Sequence, residues 1–279
     1  MRIAIQGEKG SNSHMAAMQM FAASDVDLDV IACAISAEVV AKLVAGEVDG
    51  AVLPIENTLH GSVAEHYDLM LSQPVRIVGE SSMRIRHNVI ALRGVSLSEV
   101  RSVISHPVAL SQCRRWQSEH PKVIVTPFYD TAGGVKHVVA RGLRDMAAIA
   151  PVLAAEVYGA EVLVAGVEDH AENYTRFHLI VRADAKVQAE VRTTNKMSVA
   201  FVVEHRPGTL VGALESLAGA GADLTKIESR PVPGRPWEYI FYVDLRFREP
   251  SVASAALAGL RARCSMVKEL GRYAAATVV

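Results

Sequence analysis

The chain has 279 residues, 50% of them hydrophobic and 21% charged, which is typical of a folded protein of about two domains. Its 29 Lys and Arg residues against 30 Asp and Glu residues give a formal net charge of −1, which argues against nucleic acid or an anionic membrane as a partner. The three widely spaced cysteines exclude a disulfide framework, and no signal peptide or membrane span is predicted, so a cytoplasmic location is expected.

Short β-rich segments alternate with helical segments from the start of the chain to about residue 183. This alternation predicts an α/β domain with a parallel or mixed sheet covered by helices. About nine strands are more than one small sheet usually holds, so two lobes with a cleft between them are expected. The predicted strands comprise residues 2–6, 50–54, 75–80, 84–92, 103–105, 122–126, 146–150, 162–165 and 177–181.

Helix starts in this first domain are marked by capping residues. Ser13 is predicted to cap a helix over residues 14–22, and Ser36 a helix over residues 37–45. Pro107 stands where a first-turn proline is tolerated, and Asp130 or Thr131 is predicted to cap a helix over residues 132–141.

The second domain is predicted to follow a polar connection. Residues 184–196 are interpreted as a linker between a domain at 1–183 and a domain at 197–279. Strands are predicted at 197–204, 224–232, 239–247 and 266–274, and helices at 208–220 and 251–263. This βαββαβ order is the ferredoxin-like arrangement, and an open four-stranded sheet with exposed edges favours dimerisation.

Two turns between strand and helix are candidates for anion binding. The first, Gly7 to Ser13, contains Ser11 and Ser13 at the start of a helix, where free backbone N–H groups can receive an anion. It matches neither a Walker loop nor the dinucleotide fingerprint. The second, Pro54 to Val63, offers Asn57, Thr58 and Ser62. For both turns the alternative interpretation is an ordinary turn closed by a serine cap.

Two further segments carry groups with catalytic potential. Ser105-His106-Pro107 lies at another strand-to-helix junction, with Gln112 further along the helix. Asn173-Tyr174-Thr175-Arg176-Phe177 precedes a strand, and its Arg176 would suit a carboxylate. Neither a hydrolase triad nor a metal site is indicated by the residue pattern. The residues alone therefore predict a polar cleft for a small anionic molecule, with no cofactor fingerprint.

These motifs together resemble the prephenate dehydratase family, over nearly the whole chain. The matching segments are the Gly7 turn, Pro54-Ile55-Glu56-Asn57-Thr58 with Gly61-Ser62-Val63, Ser105-His106-Pro107 with Gln112-Cys113, Asp130-Thr131-Ala132 and Asn173-x-Thr175-Arg176-Phe177. The resemblance implies two lobes similar to type II periplasmic binding proteins and conversion of prephenate to phenylpyruvate without a cofactor or metal. This sequence differs from the usual pattern of the family at Gly7-Glu8-Lys9-Gly10 and at Gly133-Gly134.

Site residues follow from the resemblance position by position. Thr175 matches the family's catalytic threonine, and it is expected to donate to the departing hydroxyl or to stabilise charge there. Asn57, Ser105 and Gln112 match polar positions of the family's cleft, and His106 is an alternative proton donor or a structural residue. Predicted substrate-binding residues are Arg176, Phe177, Thr58, Ser62, Ser11, Ser13 and Thr131, with Arg176 and the helix starts near Ser11 and Ser62 holding carboxylate.

The second domain resembles an ACT regulatory domain. Glu228-Ser229-Arg230-Pro231 matches the family's phenylalanine-sensing motif, and Gly208-Thr209-Leu210 matches an effector motif in which alanine usually follows the glycine. L-phenylalanine is therefore expected as an effector, bound across a subunit interface of a homodimer or homotetramer assembled through the ACT and catalytic domains. Two alternatives stay open: an arogenate dehydratase, and a non-catalytic amino-acid sensor.

Overall fold

The computed structural model describes residues 1–186, 194–232, 234–235 and 237–276. Most of the predicted linker at 184–196 lies outside these residues. Two compact units are present, the first formed by Met1–Val63 and Ser81–Phe177, and the second by Ala64–Glu80 and the described residues from His178 onward. Residues 64–80 and 178–183, which the sequence assigns to the first domain, thus group with the second unit.

The strands follow hydrophobic runs in the sequence. Their bounds are β1 (Arg2–Gln6), β2 (Asp29–Cys33), β3 (Gly50–Asn57), β4 (Gly61–Ser62), β5 (Val75–Arg84), β6 (Asn88–Ala91), β7 (Ser102–Ser105), β8 (Ile124–Pro127), β9 (Met146–Ala150), β10 (Glu161–Val164), β11 (Tyr174–Arg182), β12 (Lys196–Val202), β13 (Asp223–Pro231), β14 (Tyr239–Arg246) and β15 (Met266–Tyr273). β2 and β4 are absent from the prediction, and β5 continues to Arg84, a residue that was predicted to begin the next strand.

The helices are α1 (Asn12–Phe21), α2 (Ser36–Val44), α3 (Ala64–Ser72), α4 (Pro107–Ser111), α5 (Arg114–Glu119), α6 (Thr131–Arg141), α7 (Val152–Tyr158), α8 (Thr209–Gly219) and α9 (Pro250–Arg261), with a short 3₁₀ turn at Leu97–Glu99. Helices α1, α2, α6, α8 and α9 begin and end within two residues of the predicted positions, and no bounds were predicted for the other helices.

Two predicted caps are wrong and one is confirmed. Ser11, not Ser13, caps α1, because its Oγ accepts the N–H of His14. Ser36 is the first residue of α2 and Ile35 is its N-cap; the Ser36 hydroxyl donates to Gln6 Oε1 at 2.9 Å. Asp130 caps α6 through the N–H of Gly133, as predicted.

The first unit contains two sheets. In one, β1 pairs in parallel with β2 and β3, and β3 also lies beside β11. The other has the order β10-β6-β9-β7-β8, with β7 parallel to both β8 and β9. Strand alternation directs Val103 and Ile149 to one face of this second sheet and Ile104 and Ala148 to the other. Both faces are covered, as expected for a sheet with parallel strands.

The second unit is built on a four-stranded antiparallel sheet of order β13-β14-β12-β15. Helices α8 and α9 pack on one face through Leu217 and Leu257, which contact the core around Phe201. The opposite face carries α3, whose Tyr67 ring lies 5.0 Å from that of Tyr242. The element order from β12 to β15 is βαββαβ, as predicted.

Candidate active site

Thr175 lies at the start of β11, where its side chain meets the end of β3. Its hydroxyl oxygen Oγ1 accepts a hydrogen bond of 2.9 Å from Asn57 Nδ2. The same amide nitrogen donates to Asn173 Oδ1 at 2.8 Å and to the Tyr174 carbonyl at 3.1 Å. Thr175 is 9% exposed. Because its oxygen accepts from Asn57, the hydroxyl hydrogen remains for another partner, and no acceptor for it lies within the parts of the chain that the structure describes.

Asn57 is held in one orientation by the turn that follows β3. Its Oδ1 accepts the backbone N–H groups of Leu59 and His60 at 3.0 and 3.1 Å. These bonds make a local asparagine turn and leave only the NH₂ end of the amide to face Thr175. Thr58 fastens the turn to β11, since its hydroxyl donates to the Glu172 carbonyl and accepts the N–H of Tyr174.

Gln112 and Asn173 extend this arrangement into a chain of amides. Asn173 Nδ2 donates to Gln112 Oε1 at 3.0 Å, and Gln112 Nε2 lies 3.0 Å from His60 Nδ1. Nε2 of His87 lies 2.8 Å from the same Gln112 oxygen. We call Asn57, Asn173, Gln112, His60 and His87 the amide network. It is largely buried, because Asn173 is 0% and Gln112 5% exposed.

The structure thus brings together three predicted residues, Asn57, Gln112 and Thr175, and joins to them three that were not predicted as site residues. Asn173 stands in the Asn-x-Thr-Arg-Phe motif and His60 follows Asn57, so both could have been found from their neighbours. His87 has no such signal, since it lies between β5 and β6.

His87 is uncharged in its buried position. Burial lowers its pKa, and the Gln112 hydrogen bond and the Glu168 charge only partly oppose this. The Glu168 carboxylate accepts the backbone N–H of His87 at 3.0 Å and lies 3.5 Å from Arg84. The three amides of the network carry no charge, and burial favours the neutral form of His87.

Arg176 does not share the position of Thr175. Successive residues of a strand point to opposite faces, so these two side chains leave β11 in opposite directions. The Arg176 Nη2 lies 2.9 Å from Glu56 Oε2, which provides an anionic partner within the protein. Phe177 is 1% exposed and belongs to the core. Arg176 is thus paired with Glu56 and Phe177 is buried in the core, and their substrate contacts stay predictions.

Ser105 and His106 occupy the junction between β7 and α4. The Ser105 hydroxyl is 0% exposed and donates to the Ile149 carbonyl at 2.6 Å, a bond that ties β7 to β9. His106 is exposed and caps α4 through its Nδ1, which accepts the N–H of Val108. A catalytic role for Ser105 would therefore require exchange of this bond, whereas the His106 ring is accessible.

The glycine turn after β1 is not an open anion seat. Its N–H groups meet protein acceptors, since Gly7 donates to the Cys33 carbonyl, Gly10 to His14 Nδ1 and Ser11 to the Glu8 carbonyl. A Cβ on Gly7 would stand 2.5 Å from Asp130 Oδ2, so the carboxylate of Asp130 occupies the space beside the turn. Burial raises the pKa of Asp130, against the opposing Gly133 N–H.

The other predicted substrate residues have local structural positions. Ser11 and Ser13 are buried at the start of α1, which argues against a carboxylate seat there. Ser62 lies in β4, paired with Glu56, two residues before the start of α3. Thr131 is the first residue of α6, directly after the capping Asp130.

A cavity lies in the second unit, at the start of α8. It has a volume of about 340 Å³ and includes Thr209, Leu210, Trp237, Tyr239 and Phe241 in its lining. Gly208 precedes it with φ +85°, a left-handed conformation that favours glycine, and so permits the turn into α8. The Thr209 hydroxyl donates to the Glu204 and Arg206 carbonyls.

The motif Glu228 to Pro231 is divided between the two faces of its sheet. Ser229 and Pro231 pair with Phe241 and Tyr239, both of which line the cavity. Glu228 and Arg230 point to the opposite face, where Arg230 binds Asp68 of α3 through two hydrogen bonds of 3.1 and 2.7 Å. Only half of the predicted effector motif thus shares a face with the cavity.

Within the described residues, no group of three or more His, Cys, Asp or Glu side chains could hold a metal ion. No helix in that part of the chain is long and apolar enough to cross a membrane. The three cysteines are free thiols, and burial raises the pKa of Cys113 to about 12, so it is unreactive at neutral pH.

Several known proteins are similar to this chain in sequence or fold over nearly its full length. Arogenate dehydratase/prephenate dehydratase 2 of Arabidopsis thaliana is 34% identical over 285 residues, which cover 98% of this chain and 72% of the relative. A prephenate dehydratase from Arthrobacter aurescens in complex with L-Phe superposes with a TM-score of 0.87 at 31% identity, covering 99% of this chain and 90% of that one. GqqA, a novel type of quorum quenching acylase, also has a TM-score of 0.87, at 30% identity and 99% and 98% coverage.

The family model for prephenate dehydratase matches residues 3–185. This match contains every residue of the amide network and Thr175. The chain therefore belongs to the prephenate dehydratase family, lyases that dehydrate and decarboxylate their substrate.

Proposed function

We propose that the chain converts prephenate to phenylpyruvate in L-phenylalanine biosynthesis and that Thr175 acts on the departing hydroxyl. The observation that carries this proposal is the hydrogen bond from Asn57 Nδ2 to Thr175 Oγ1. A hydroxyl whose oxygen already accepts a bond presents its hydrogen outward. That hydrogen is the group needed where negative charge develops on a leaving oxygen.

The reaction requires little chemistry from the protein. The ring carboxylate leaves as CO₂, the electron pair of the broken C–C bond enters the ring, and the C–O bond at the opposite ring carbon breaks. The hydroxyl departs as water after taking up one proton, and the ring becomes aromatic. The enzyme must therefore orient the substrate and stabilise the leaving oxygen.

A threonine hydroxyl is a weak acid, so Thr175 supplies a hydrogen bond and the proton comes from another source. His106 is the accessible imidazole among the predicted residues, with Nδ1 used as a helix cap. We propose it as the proton donor, directly or through water. A His106→Gln variant that kept the wild-type pH profile of kcat would contradict this role.

We propose that the region from 197 onward is an ACT domain that senses L-phenylalanine, and that the catalytic domain spans 1–183, with the linker at 184–196. The βαββαβ order and the aromatic cavity beside Thr209 support this assignment. A cavity of about 340 Å³ suits a free amino acid. We expect a homodimer or homotetramer, because the edge strand β13 exposes the apolar Leu224 and Ile227. A cytoplasmic location also remains our expectation.

Three other functions can be compared with the geometry at Thr175: arogenate dehydratase, non-catalytic sensor and acylase. Arogenate differs from prephenate at the side chain, away from the leaving hydroxyl, so the Thr175 geometry serves either substrate. A pure sensor has no need of an oriented donor. An acylase that used Thr175 as a nucleophile would need a general base against Oγ1, and in the described part of the first unit that atom meets an amide.

Turnover assays separate these activities. Purified protein is incubated with prephenate and, in parallel, with arogenate, and phenylpyruvate or phenylalanine formation is followed with and without added L-phenylalanine. We expect phenylpyruvate formation that L-phenylalanine suppresses. Faster turnover of arogenate would reassign the substrate, and folded protein inactive on both would favour the sensor. Hydrolysis of an acylated quorum-sensing signal without lyase activity would favour the acylase.

A further inference from the structure

We propose that His87 is a positioning residue that fixes the direction of hydrogen bonding at the Gln112 end of the amide network and, together with the turn that fixes Asn57, holds the Thr175 hydroxyl in one orientation. This inference rests on the proposed function of Thr175. His87 has no contact with Thr175 itself in the structure. Its ring instead reaches the far end of the amide network, at Gln112 Oε1.

Amide side chains can be rotated end for end, which exchanges their donor and acceptor groups. In the amide network each amide is satisfied in one direction only. Gln112 Oε1 accepts from Asn173 Nδ2, and Asn173 Oδ1 accepts from Asn57 Nδ2. Rotating Gln112 would place two NH₂ groups against each other, and the conflict would pass along the network to Asn57.

The two ends of the network determine which direction is adopted. At one end, Asn57 Oδ1 is fixed by the N–H groups of Leu59 and His60. At the other end, Gln112 is fixed by the two imidazoles of His60 and His87. His60 is exposed, so water can replace its ring. His87 is 2% exposed and is the anchor that solvent does not reach.

The tautomer of His87 follows from its surroundings. Its Nε2 faces Gln112 Oε1, whereas its Nδ1 is buried without a hydrogen-bond partner among the described residues. A proton on Nδ1 would leave a buried N–H donor without an acceptor and two acceptor atoms facing each other at Gln112. A proton on Nε2 gives the Gln112 oxygen a donor and leaves only a lone pair unsatisfied, which is the less unfavourable of the two.

With this tautomer, His87 Nε2–H is the first donor in a series of hydrogen bonds whose directions all agree. Gln112 Oε1 then accepts two hydrogen bonds, and its NH₂ faces His60. Asn173 can only donate to Gln112, so its oxygen faces Asn57. Asn57 in turn can only donate to Thr175 Oγ1, which leaves the threonine hydrogen for the substrate.

Two substitutions at His87 separate this role from simple filling of space. His87→Leu keeps much of the volume and removes the donor, whereas the side-chain NH₂ of His87→Gln can take the place of Nε2–H. We expect kcat for prephenate to fall about tenfold or more in His87→Leu with KM little changed, and to recover to within about threefold of wild type in His87→Gln. Thermal unfolding of each variant verifies the fold.

Equal loss of kcat in both variants would overturn the proposal, because packing alone would then explain it. Unchanged kcat in a folded His87→Leu variant would overturn it as well. If His87→Leu does not fold, His87→Asn replaces it, since the shorter amide cannot reach Gln112 with a donor, and it must show the same loss relative to His87→Gln.

A measurement on the wild-type chain tests the proposal without catalysis. Long-range ¹⁵N–¹H correlation spectra distinguish the two neutral tautomers of a histidine ring, and the His87 signal is assigned by its absence in His87→Gln. We expect the Nε2–H tautomer, and an Nδ1–H tautomer would overturn the inference. An inactive wild-type chain with the Nε2–H tautomer would instead refute the proposed function alone.

Discussion

A buried polar network lies among the described residues of each unit, and the two networks are built from different chemistry. The amide network of the first unit is built around three uncharged amide side chains, those of Asn57, Asn173 and Gln112. The second unit instead buries charges: Lys196 Nζ lies 2.7 Å from Glu80 Oε2 and 4.0 Å from Asp244 Oδ2. The three charged side chains are each less than 10% exposed.

The difference follows from what each network has to do. Buried ions are stable only while paired, because removal from water is expensive, and the pairing joins the strands that carry them. Lys196 lies on β12, Asp244 on β14 and Glu80 on β5, so the ions connect three strands. Neutral amides have a fixed donor end and acceptor end, which lets them orient a hydroxyl without adding charge to the site.

The largest expected effect is on the charged network. Lys196→Met removes the buried ammonium group that lies 2.7 Å from Glu80 and 4.0 Å from Asp244. We expect the free energy of unfolding of the second unit to fall by about 3–5 kcal/mol. Chemical denaturation followed by circular dichroism measures this, with the exposed Lys122→Met as the matched control. A loss no larger than that of the control would show that the ions do not hold these strands together.

A smaller effect is expected from the amide network, and on catalysis rather than on folding. Gln112→Met preserves the side-chain length but leaves Asn173 Nδ2 and His87 Nε2 without their shared acceptor. Loss of about 1–3 kcal/mol at the transition state would lower kcat roughly 5- to 150-fold. Steady-state kinetics on prephenate measures this fall in kcat. If Gln112→Met kept the full kcat and lost only thermal stability, the amide network would have a structural role alone.

Contacts of α3 should affect regulation alone. Asp68 binds Arg230 of the proposed sensing motif and accepts a hydrogen bond from Tyr242, and α3 begins two residues after the end of β4. We expect Asp68→Asn to keep basal turnover and to weaken inhibition by L-phenylalanine about fivefold or more. Titration of L-phenylalanine during prephenate turnover measures it, with Glu65→Gln, exposed on the same helix, as control. If L-phenylalanine inhibited Asp68→Asn and Glu65→Gln equally, the contacts of Asp68 would have no part in the response to the effector.

The smallest effect is a pH dependence of stability. Burial lowers the pKa of His87 below its ordinary value of 6.5, so the unfolded chain binds the proton more tightly than the folded chain. The stability due to neutral His87 is therefore complete above pH 6.5 and is lost as the pH falls from 6.5 through the lowered pKa. We expect His87→Gln to reduce the loss of stability between about pH 7 and about pH 5 by about 1 kcal/mol or less. Parallel slopes for the two proteins would contradict a neutral buried His87.

Sequence patterns of a few residues were enough to predict strands whose ends are set by their immediate neighbours in the chain. β1 and β9 have the predicted bounds because each is a short apolar run that ends at a turn or a proline. The choice between Ser11 and Ser13 as the cap of α1 depends on Gly10, which has φ +90° and packs against Ala154, a contact that the sequence does not reveal.

The candidate site shows the same limit. Thr175, Asn57 and Gln112 could be found because family motifs mark them, but the partners of each group are set by tertiary contacts. The ion pair of Arg176 with Glu56 and the bond of Ser105 to Ile149 both join residues far apart in sequence. His87 was missed because its significance comes from a contact with Gln112, 25 residues away.

The central claim is that the hydrogen of the Thr175 hydroxyl assists departure of the substrate hydroxyl. The most direct test compares kcat for prephenate in Thr175→Ser, which keeps the hydroxyl, with Thr175→Val, which has the same shape without it. We expect Thr175→Val to lose about 10²- to 10³-fold in kcat at an unchanged thermal midpoint, and Thr175→Ser to retain most of the wild-type rate. Near-normal turnover by a folded Thr175→Val variant would contradict the claim.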